Sequence, residues 1–152
     1  MPVPLVTITD EVEGDVNGKN LIIVLTRSHP SDSATSFVVQ GTYLSKESNT
    51  TYDTKINFAL DTGMMEFLTS DHGIAKEVRE KLVFKIVPMM NPDGVLLGNT
   101  RSTLVGADLN RSWHDISEHK HPVLHAVNDL IMRSSEVITQ AFSFDLAKKT
   151  QG

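Results

Sequence analysis

The first candidate for chemistry in this sequence is a histidine and a carboxylate that stand three residues apart. His29 and Asp32 come shortly after an aliphatic run, Leu21–Leu25. Imidazole and carboxylate are both zinc ligands, and this spacing on a turn lets both side chains face one ion. The alternative is a turn in which Asp32 caps the next helix. The pair taken alone favours that alternative, because isolated pairs of this kind are common.

A second candidate is the pair of arginines Arg101 and Arg111, in a stretch of otherwise small and polar residues, with Asn110 before the second. Arginine forms planar, bidentate bonds with carboxylates, so two arginines in one loop indicate an anionic partner. The partner is either a ligand or an aspartate of the chain itself. In the second case Arg111 pairs with Asp108 or Asp115 at the surface, where an ion pair contributes about 0–1 kcal/mol.

The chain has no cysteine, so a metal site must be built from histidine and carboxylate ligands. Four further histidines follow the second arginine: His114, His119, His121 and His125. His121 and His125 have the spacing of helical zinc motifs but lack the glutamate of a His-Glu-x-x-His motif. We therefore predict that these histidines belong to a helix start and to the surface.

The elements that must position these groups alternate between strands and helices. Aliphatic and β-branched runs predict four strands, at 5–9, 20–26, 82–87 and 137–146. Helical signals predict a helix after the N-cap Ser33, renewed helical periodicity from Met64 and a helix over 121–136, whereas Pro92–Gly94 predicts a turn. The alternation predicts an α/β fold with a mixed, mostly parallel β-sheet flanked by helices.

The same order of elements predicts where a ligand should bind. His29 and Asp32 follow the second predicted strand, and Asn91–Asp93 follow the third. Ligands of open α/β sheets bind beyond the carboxyl ends of the strands. We therefore expect both groups to lie along one edge of the sheet.

Composition limits the classes of partner. At 152 residues the chain has the length of one domain, and its net charge of −5 does not favour nucleic acid or an anionic membrane surface. No apolar run approaches the length of a membrane span, and the first residues do not form a signal peptide. We expect no nucleic-acid partner, no membrane partner and a cytoplasmic location.

Taken in chain order, these motifs resemble the zinc carboxypeptidase family, and within it the cytosolic branch that removes glutamates from tubulin and other proteins. Arg27–Asp32 resembles the branch's Arg-x-His-Pro-Gly-Glu motif. Val83–Val95 closely follows its Val-Phe-Lys-Ile-x-Pro-Met-x-Asn-Pro-Asp-Gly-Val motif. Further matches lie at Thr35–Val38, Gly98–Ser102, Gly106–Trp113 and His121–Pro122. The resemblance covers most of the chain outside 42–63 and the last few residues.

The resemblance implies a role for each candidate residue. His29 and Asp32 would be the first two ligands of one zinc ion. Arg101 would polarise the scissile carbonyl and steady the oxyanion, and Asn110 and Arg111 would hold the terminal carboxylate of the substrate. The implied reaction is zinc-assisted hydrolysis at a C-terminus. The implied partners are protein or peptide C-termini rich in glutamate, with tubulin among them.

The sequence also departs from the family pattern. Asp32 stands where the family has glutamate, Ser31 where it has glycine, and Ala147 where it has its third ligand, a histidine. Catalytic zinc sites normally have three protein ligands. We therefore expect 1–152 to be a single incomplete carboxypeptidase-like domain, truncated and weakly active or inactive, with an insertion at 42–63.

Two other interpretations stay open at this point. One is a non-catalytic module that binds acidic peptide C-termini through Arg101, Asn110 and Arg111. The other is a fragment without a stable fold, because half of a mixed sheet exposes a bare edge.

Overall fold

Four strands form one sheet in the order β1-β3-β2-β4. The computed structural model describes residues 1–10, 19–40, 63–135 and 141–145. The strands are β1 (Val6–Ile8), β2 (Asn20–Leu25), β3 (Leu82–Val87) and β4 (Ala141–Asp145). Each of the four predicted strands is present. The predicted ends of the last one, 137–140 and 146, lie outside the described residues.

The pairing of the strands brings three strand ends close together. β2 runs parallel to β3, with Leu25 opposite Val87, and parallel to β4, with Leu25 opposite Asp145. β1 runs antiparallel to β3, with Val6 opposite Ile86. The prediction of a mixed, mostly parallel sheet is therefore confirmed. Because β2 is paired on both sides, its carboxyl end lies in the middle of that edge of the sheet.

Helices lie on both faces of this sheet. They are α1 (Ser33–Gln40), α2 (63–69), α3 (Gly73–Lys81), α4 (Pro92–Leu97) and α5 (Pro122–Ser135), and a 3₁₀ turn covers Leu109–Arg111. No helix among the described residues combines the length and apolarity needed to cross a bilayer. Ser33, predicted as the N-cap of α1, is instead its first residue.

Two apolar layers cover the two faces of β2. One consists of Leu21, Ile23, Leu25, Val83, Val87, Met90, Leu109, Leu124 and Val127, and includes residues of α5. The other consists of Ile8, Val24, Val39, Leu68, Phe84 and Ile86, and includes residues of α1 and α2. A strand buried on both faces needs apolar residues at consecutive positions. This explains why the run that precedes His29 is continuous rather than alternating.

The prediction of a turn at Pro92–Gly94 is wrong, because these residues begin α4. Asn91 caps the helix with its Oδ1 atom, which accepts a hydrogen bond from the Gly94 amide at 3.0 Å. Proline is favoured at the first helical position, where its missing N–H would have no partner. Gly98 then ends the helix with a left-handed φ of 70°.

The amino end of the sheet carries a polar group that we call the amino-edge cluster: Thr9, Asp10, Lys19 and Arg79. Lys19 is buried, and its Nζ atom donates to Thr9 Oγ1 at 3.2 Å and to the Arg79 carbonyl at 3.1 Å. The Arg79 Nε atom lies 2.6 Å from Asp10 Oδ1. The bonds of this cluster connect the ends of β1, β2 and α3.

Two predictions about the organisation of the chain are not tested by the structure. The segment 42–62 lies outside the described residues, so an insertion at 42–63 stays a prediction. The same holds for the prediction that 1–152 is a single domain.

Candidate active site

The loops that follow β2 and β3 are bonded to each other, as the strand order predicts. The Met90 amide donates to the Thr26 carbonyl at 2.8 Å, and the Asn91 amide donates to the Arg27 carbonyl at 3.1 Å. The Ser31 amide donates to the Thr100 carbonyl at 3.1 Å. The expectation that His29 and Asn91 lie at the same edge is therefore confirmed.

The loop after β2 also packs tightly against α4. A Cβ atom placed on Gly94 would lie 2.5 Å from Pro30 Cγ and 2.8 Å from the Ser102 carbonyl oxygen. Only glycine fits between these neighbours without movement. The close approach holds Pro30, the residue after His29, against the first turn of α4.

The structure brings His29 and Asp32 together at the centre of this edge. His29 is 2% exposed, and its Nδ1 atom lies 3.3 Å from Asp32 Oδ2. Zinc binds imidazole nitrogen at about 2.0–2.1 Å and carboxylate oxygen at about 2.0–2.2 Å, so tetrahedral donors lie about 3.4 Å apart. A charge-assisted hydrogen bond would be shorter, about 2.7–2.9 Å. At 3.3 Å the two side chains form a long hydrogen bond, and the same separation suits two donors of one zinc ion.

Asp108 contacts His29 from the opposite side, and no motif in the sequence pointed to it as part of the site. The Nε2 atom of His29 lies 3.0 Å from Asp108 Oδ1. A histidine that binds a metal through one nitrogen commonly donates its other N–H to a carboxylate. The Nε2 atom thus faces the Asp108 carboxylate and the Nδ1 atom faces the Asp32 carboxylate.

Arg101 completes this group of side chains. Its Nε and NH2 atoms donate to Asp108 Oδ2 at 3.2 and 3.0 Å. Its NH2 atom is also 3.0 Å from His29 Nε2. Burial raises the pKa of Asp108, but the hydrogen bonds from Arg101 and His29 outweigh it and hold that pKa below its ordinary value. Asp108 is therefore a carboxylate at neutral pH.

Asn110 and Arg111 extend the site along the 3₁₀ turn. The Asp108 side chain caps this turn, because its Oδ1 atom accepts a hydrogen bond from the Asn110 amide at 2.9 Å. The Arg111 amide donates to the Asp108 carbonyl at 3.0 Å. The backbone of the predicted carboxylate-binding pair is thus fixed to the residue that supports His29.

The Arg111 side chain is exposed and forms no ion pair with any described residue. Asp108 pairs with Arg101, and Asp115 pairs with Lys120 at 2.8 Å. The interpretation in which Arg111 pairs with one of these aspartates is therefore wrong. Its guanidinium is available to an anion from outside the described part of the chain.

The later histidines do not join the site. His121 precedes α5 and is 9% exposed, and His114 and His119 are exposed. No group of three or more histidine, aspartate or glutamate side chains that could hold a metal occurs within 1–10, 19–40, 63–135 and 141–145. His29 and Asp32 therefore stand as a pair, and no third histidine or carboxylate that could complete a metal site with them is among the described residues.

Comparison with known proteins assigns a family to this arrangement. A family model described as zinc carboxypeptidase matches residues 2–149. Cytosolic carboxypeptidase 6 of Mus musculus is 44% identical over 115 residues, which cover 76% of this chain and 17% of the relative. Cytosolic carboxypeptidase 4 of Homo sapiens is 34% identical over 143 residues, which cover 90% of this chain and 11% of the relative. The chain therefore spans less than a fifth of these relatives.

Solved structures share the fold. A metallo-carboxypeptidase from Burkholderia cenocepacia superposes with a TM-score of 0.63 at 27% identity, over 88% of this chain and 30% of that chain. A second structure, from Burkholderia mallei, gives 0.64 at 25% identity, over 95% of this chain and 31% of that one. The family match, the relatives and the shared fold agree with the order of the motifs in the sequence. This chain belongs to the zinc carboxypeptidase family.

Proposed function

We propose that this chain contributes the zinc-binding and carboxylate-binding part of a metallocarboxypeptidase. The observation that carries the proposal is the position of His29, which lies 3.3 Å from Asp32 on its Nδ1 side and 3.0 Å from Asp108 on its Nε2 side. This is the arrangement of a metal-binding histidine with a supporting carboxylate. A zinc ion bound there would acidify a water molecule and polarise a peptide carbonyl.

The residues around the pair supply the remaining interactions of the proposed reaction. Arg101 is half exposed and lies next to His29, so it can place positive charge beside the carbonyl oxygen of a bound peptide. Asn110 and Arg111 would hold the terminal carboxylate, since arginine binds carboxylates through two parallel hydrogen bonds. This contact would restrict binding to the last residue of a chain.

The finer parts of the proposal rest on the names of the relatives and on the family resemblance. We propose that the substrates are protein C-termini or branches rich in glutamate, tubulin among them, and that the protein acts in the cytoplasm. The relatives with these matches are named cytosolic carboxypeptidases. The negative charge of such substrates suits a site in which Arg111 has no carboxylate partner among the described residues.

Zinc titration tests the metal site. We expect the chain to bind zinc in isothermal titration calorimetry and His29→Ala to weaken binding by more than about 100-fold, because supporting residues alone contribute about 10- to 100-fold. His119→Ala removes an exposed histidine and is the matched control. Equal zinc affinity in wild type and His29→Ala would exclude this site.

A second function is a binding module without catalysis for acidic C-termini. It is favoured by the described residues, which supply two zinc donors where catalytic sites normally have three. Fluorescence anisotropy with a labelled peptide that ends in glutamates separates the two functions. Zinc-independent binding that is lost in Arg111→Ala, with no peptide hydrolysis, supports the module. Release of free glutamate supports the carboxypeptidase.

A further inference from the structure

Arg27 has an unusual backbone conformation two residues before His29. Its φ angle is 53°, and it is the only residue other than glycine with a positive φ among the described residues. This left-handed conformation is unfavourable for a residue with a side chain and persists only where the surroundings enforce it. The chain turns here as it leaves β2, so the conformation of Arg27 sets the direction in which the loop with His29 begins.

The side chain of Arg27 spans the loop that carries both proposed zinc donors. Its NH1 atom donates to Ser36 Oγ at 3.0 Å, and its NH2 atom donates to the Pro30 carbonyl. Pro30 precedes Asp32 in the chain and Ser36 follows it. One guanidinium therefore connects the exit of β2, the middle of the loop and the first turn of α1.

The same side chain carries a feature that is unfavourable for stability. The Nε atom of Arg27 is buried and has no hydrogen-bond partner among the described residues. A buried donor without a partner lowers stability, as does the left-handed backbone of the same residue. Two unfavourable features at one residue, beside the loop that holds a ligand pair, indicate that the arrangement serves the site.

We propose that Arg27 is a positioning residue for the metal pair and holds Asp32 Oδ2 at the zinc-donor distance from His29 Nδ1. Within the loop, the Asp32 amide donates to the His29 carbonyl at 3.2 Å, and Thr35 Oγ1 donates to the Asp32 carbonyl at 2.7 Å. Both bonds fix the main chain of Asp32, one to His29 and the other to Thr35. The Arg27 side chain adds a second connection, from the exit of β2 to Pro30 and Ser36 on either side of Asp32.

A lysine at this position cannot replace the arginine. The planar guanidinium presents its NH1 and NH2 donors in a fixed geometry, whereas the ammonium group of lysine is a single point. Lysine would keep the charge but could not bridge Pro30 and Ser36 in the same way. Glycine would relieve the left-handed φ but would remove the bridge. The two substitutions therefore separate the role of the side chain from that of the backbone.

The inference deepens the proposed zinc site and rests on it, so its test has an arm that uses no metal. In that arm, long-range ¹H–¹⁵N spectra of the full chain report the tautomer of the His29 ring. We expect one dominant tautomer in wild type and a mixture in Arg27→Lys and Arg27→Gly. Arg133→Lys, at an exposed arginine of α5, is the matched control and should leave the His29 signals unchanged.

In the second arm, Co²⁺ replaces zinc and its visible d–d spectrum reports both affinity and coordination geometry. We expect Arg27→Lys and Arg27→Gly to bind Co²⁺ about 10-fold more weakly, as supporting residues of metal sites do, with an altered spectrum. Ser36→Ala should have a smaller effect in the same direction, and Arg133→Lys should have none.

The two arms separate the two proposals. If wild type does not bind Co²⁺ or zinc, the proposed zinc site is wrong, and the histidine spectra alone decide whether Arg27 positions His29. If the His29 signals are unchanged in both Arg27 variants, the proposed role of Arg27 is wrong, whatever the metal affinity of those variants. Changed signals with an unchanged Co²⁺ affinity and spectrum also overturn it. If Arg27→Gly does not fold, Arg27→Lys decides.

Discussion

The two ends of the sheet each carry a charged cluster, and the clusters differ in the kind of acceptor that their donors face. In the amino-edge cluster, Lys19 and Arg79 donate largely to main-chain carbonyls: Lys19 to that of Arg79, and Arg79 to those of Leu68 and Ser70. Main-chain acceptors are fixed by the fold. This cluster is therefore a structural connection between elements.

At the carboxyl end of the sheet, the hydrogen-bonding partners are side chains rather than main-chain carbonyls. His29 lies between the carboxylates of Asp32 and Asp108, and Arg101 approaches the same imidazole nitrogen as Asp108. The comparison indicates that similar charges connect elements of the fold at one edge and form the proposed metal site at the other.

The largest expected effect on stability is at the amino edge. Arg79→Met removes the ion pair with Asp10 and leaves the Leu68 and Ser70 carbonyls without this donor. We expect a loss of about 3 kcal/mol in the free energy of unfolding, measured by urea denaturation, and an unchanged zinc affinity. Arg133→Met, at an exposed arginine, is the control. A weaker zinc affinity in Arg79→Met would show that the two edges are not independent.

A substitution at the junction between fold and site should affect both properties. Gly94→Ala places a methyl group against Pro30 and the Ser102 carbonyl. We expect a loss of about 2 kcal/mol in stability, because overpacked sites typically cost about 1–3 kcal/mol, together with weaker zinc binding. Gly73→Ala, where a Cβ atom would meet nothing within 4 Å, should change neither. Thermal unfolding and zinc titration of both variants check this prediction, and equal behaviour of the two glycines would contradict it.

Asp108→Asn should weaken zinc binding and change stability little, whereas Arg79→Met should lower stability and leave zinc binding unchanged. Asparagine keeps the shape of the side chain and an oxygen that can cap the 3₁₀ turn, but it loses the charge that supports His29. We expect zinc affinity to fall about 10- to 100-fold in calorimetry, with a small change in urea stability. Asp115→Asn, at a surface aspartate, is the control. An unchanged affinity would remove Asp108 from the site.

The charge of Asp108 also predicts that the free energy of unfolding depends on pH in the absence of zinc. Its pKa in the folded chain is lower than the ordinary 3.8. The stability that this carboxylate contributes is therefore complete above pH 3.8 and is lost as the pH falls through the lower folded pKa. Urea denaturation of wild type and Asp108→Asn across this range should show a wild-type advantage that shrinks toward acid. A difference that is constant with pH would contradict this prediction.

The smallest expected effect comes from an ion pair that belongs to neither cluster. Lys81 Nζ lies 2.6 Å from Glu77 Oε1 on the exposed surface of α3, four residues apart. The hydrogen bond and charge of Lys81 lower the pKa of Glu77, but water screens the pair. Glu77→Gln should leave the melting temperature and the zinc affinity unchanged within error. A measurable fall in stability would show that isolated charge pairs matter as much as the clusters do.

The strands were predictable because their signal is local. β2 and β3 are both rich in apolar residues on both faces, and the predicted bounds differ from the observed ones by at most one residue. α4 was missed because proline, aspartate and glycine together indicate a turn. The signals for a helix were present in the cap Asn91 and in Gly98, but six residues are too few for helical periodicity to appear.

The site was predictable only in part. His29 and Asp32 are three residues apart, so they were candidates from spacing, but only the order of the motifs along the chain favoured a shared ligand over a turn. Asp108 has no comparable local signal, because its role depends on contact with His29, 79 positions away. The bridge made by Arg27 was missed for a similar reason: it depends on a backbone angle and a side-chain direction that residue types do not reveal.

The distances along the chain have a consequence for the order of events in folding. The partners of His29 at its Nε2 atom, Asp108 and Arg101, are 79 and 72 positions away. Contacts between such distant positions form only after long loops have closed, and such closures slow folding. Pairing of β2 with β3 closes a loop of similar length, since Leu25 and Val87 are 62 positions apart, so the imidazole acquires its neighbours only in a chain that has completed these closures. An ion that binds there stabilises only chains that have completed this step, so its occupancy would count the molecules that have finished folding.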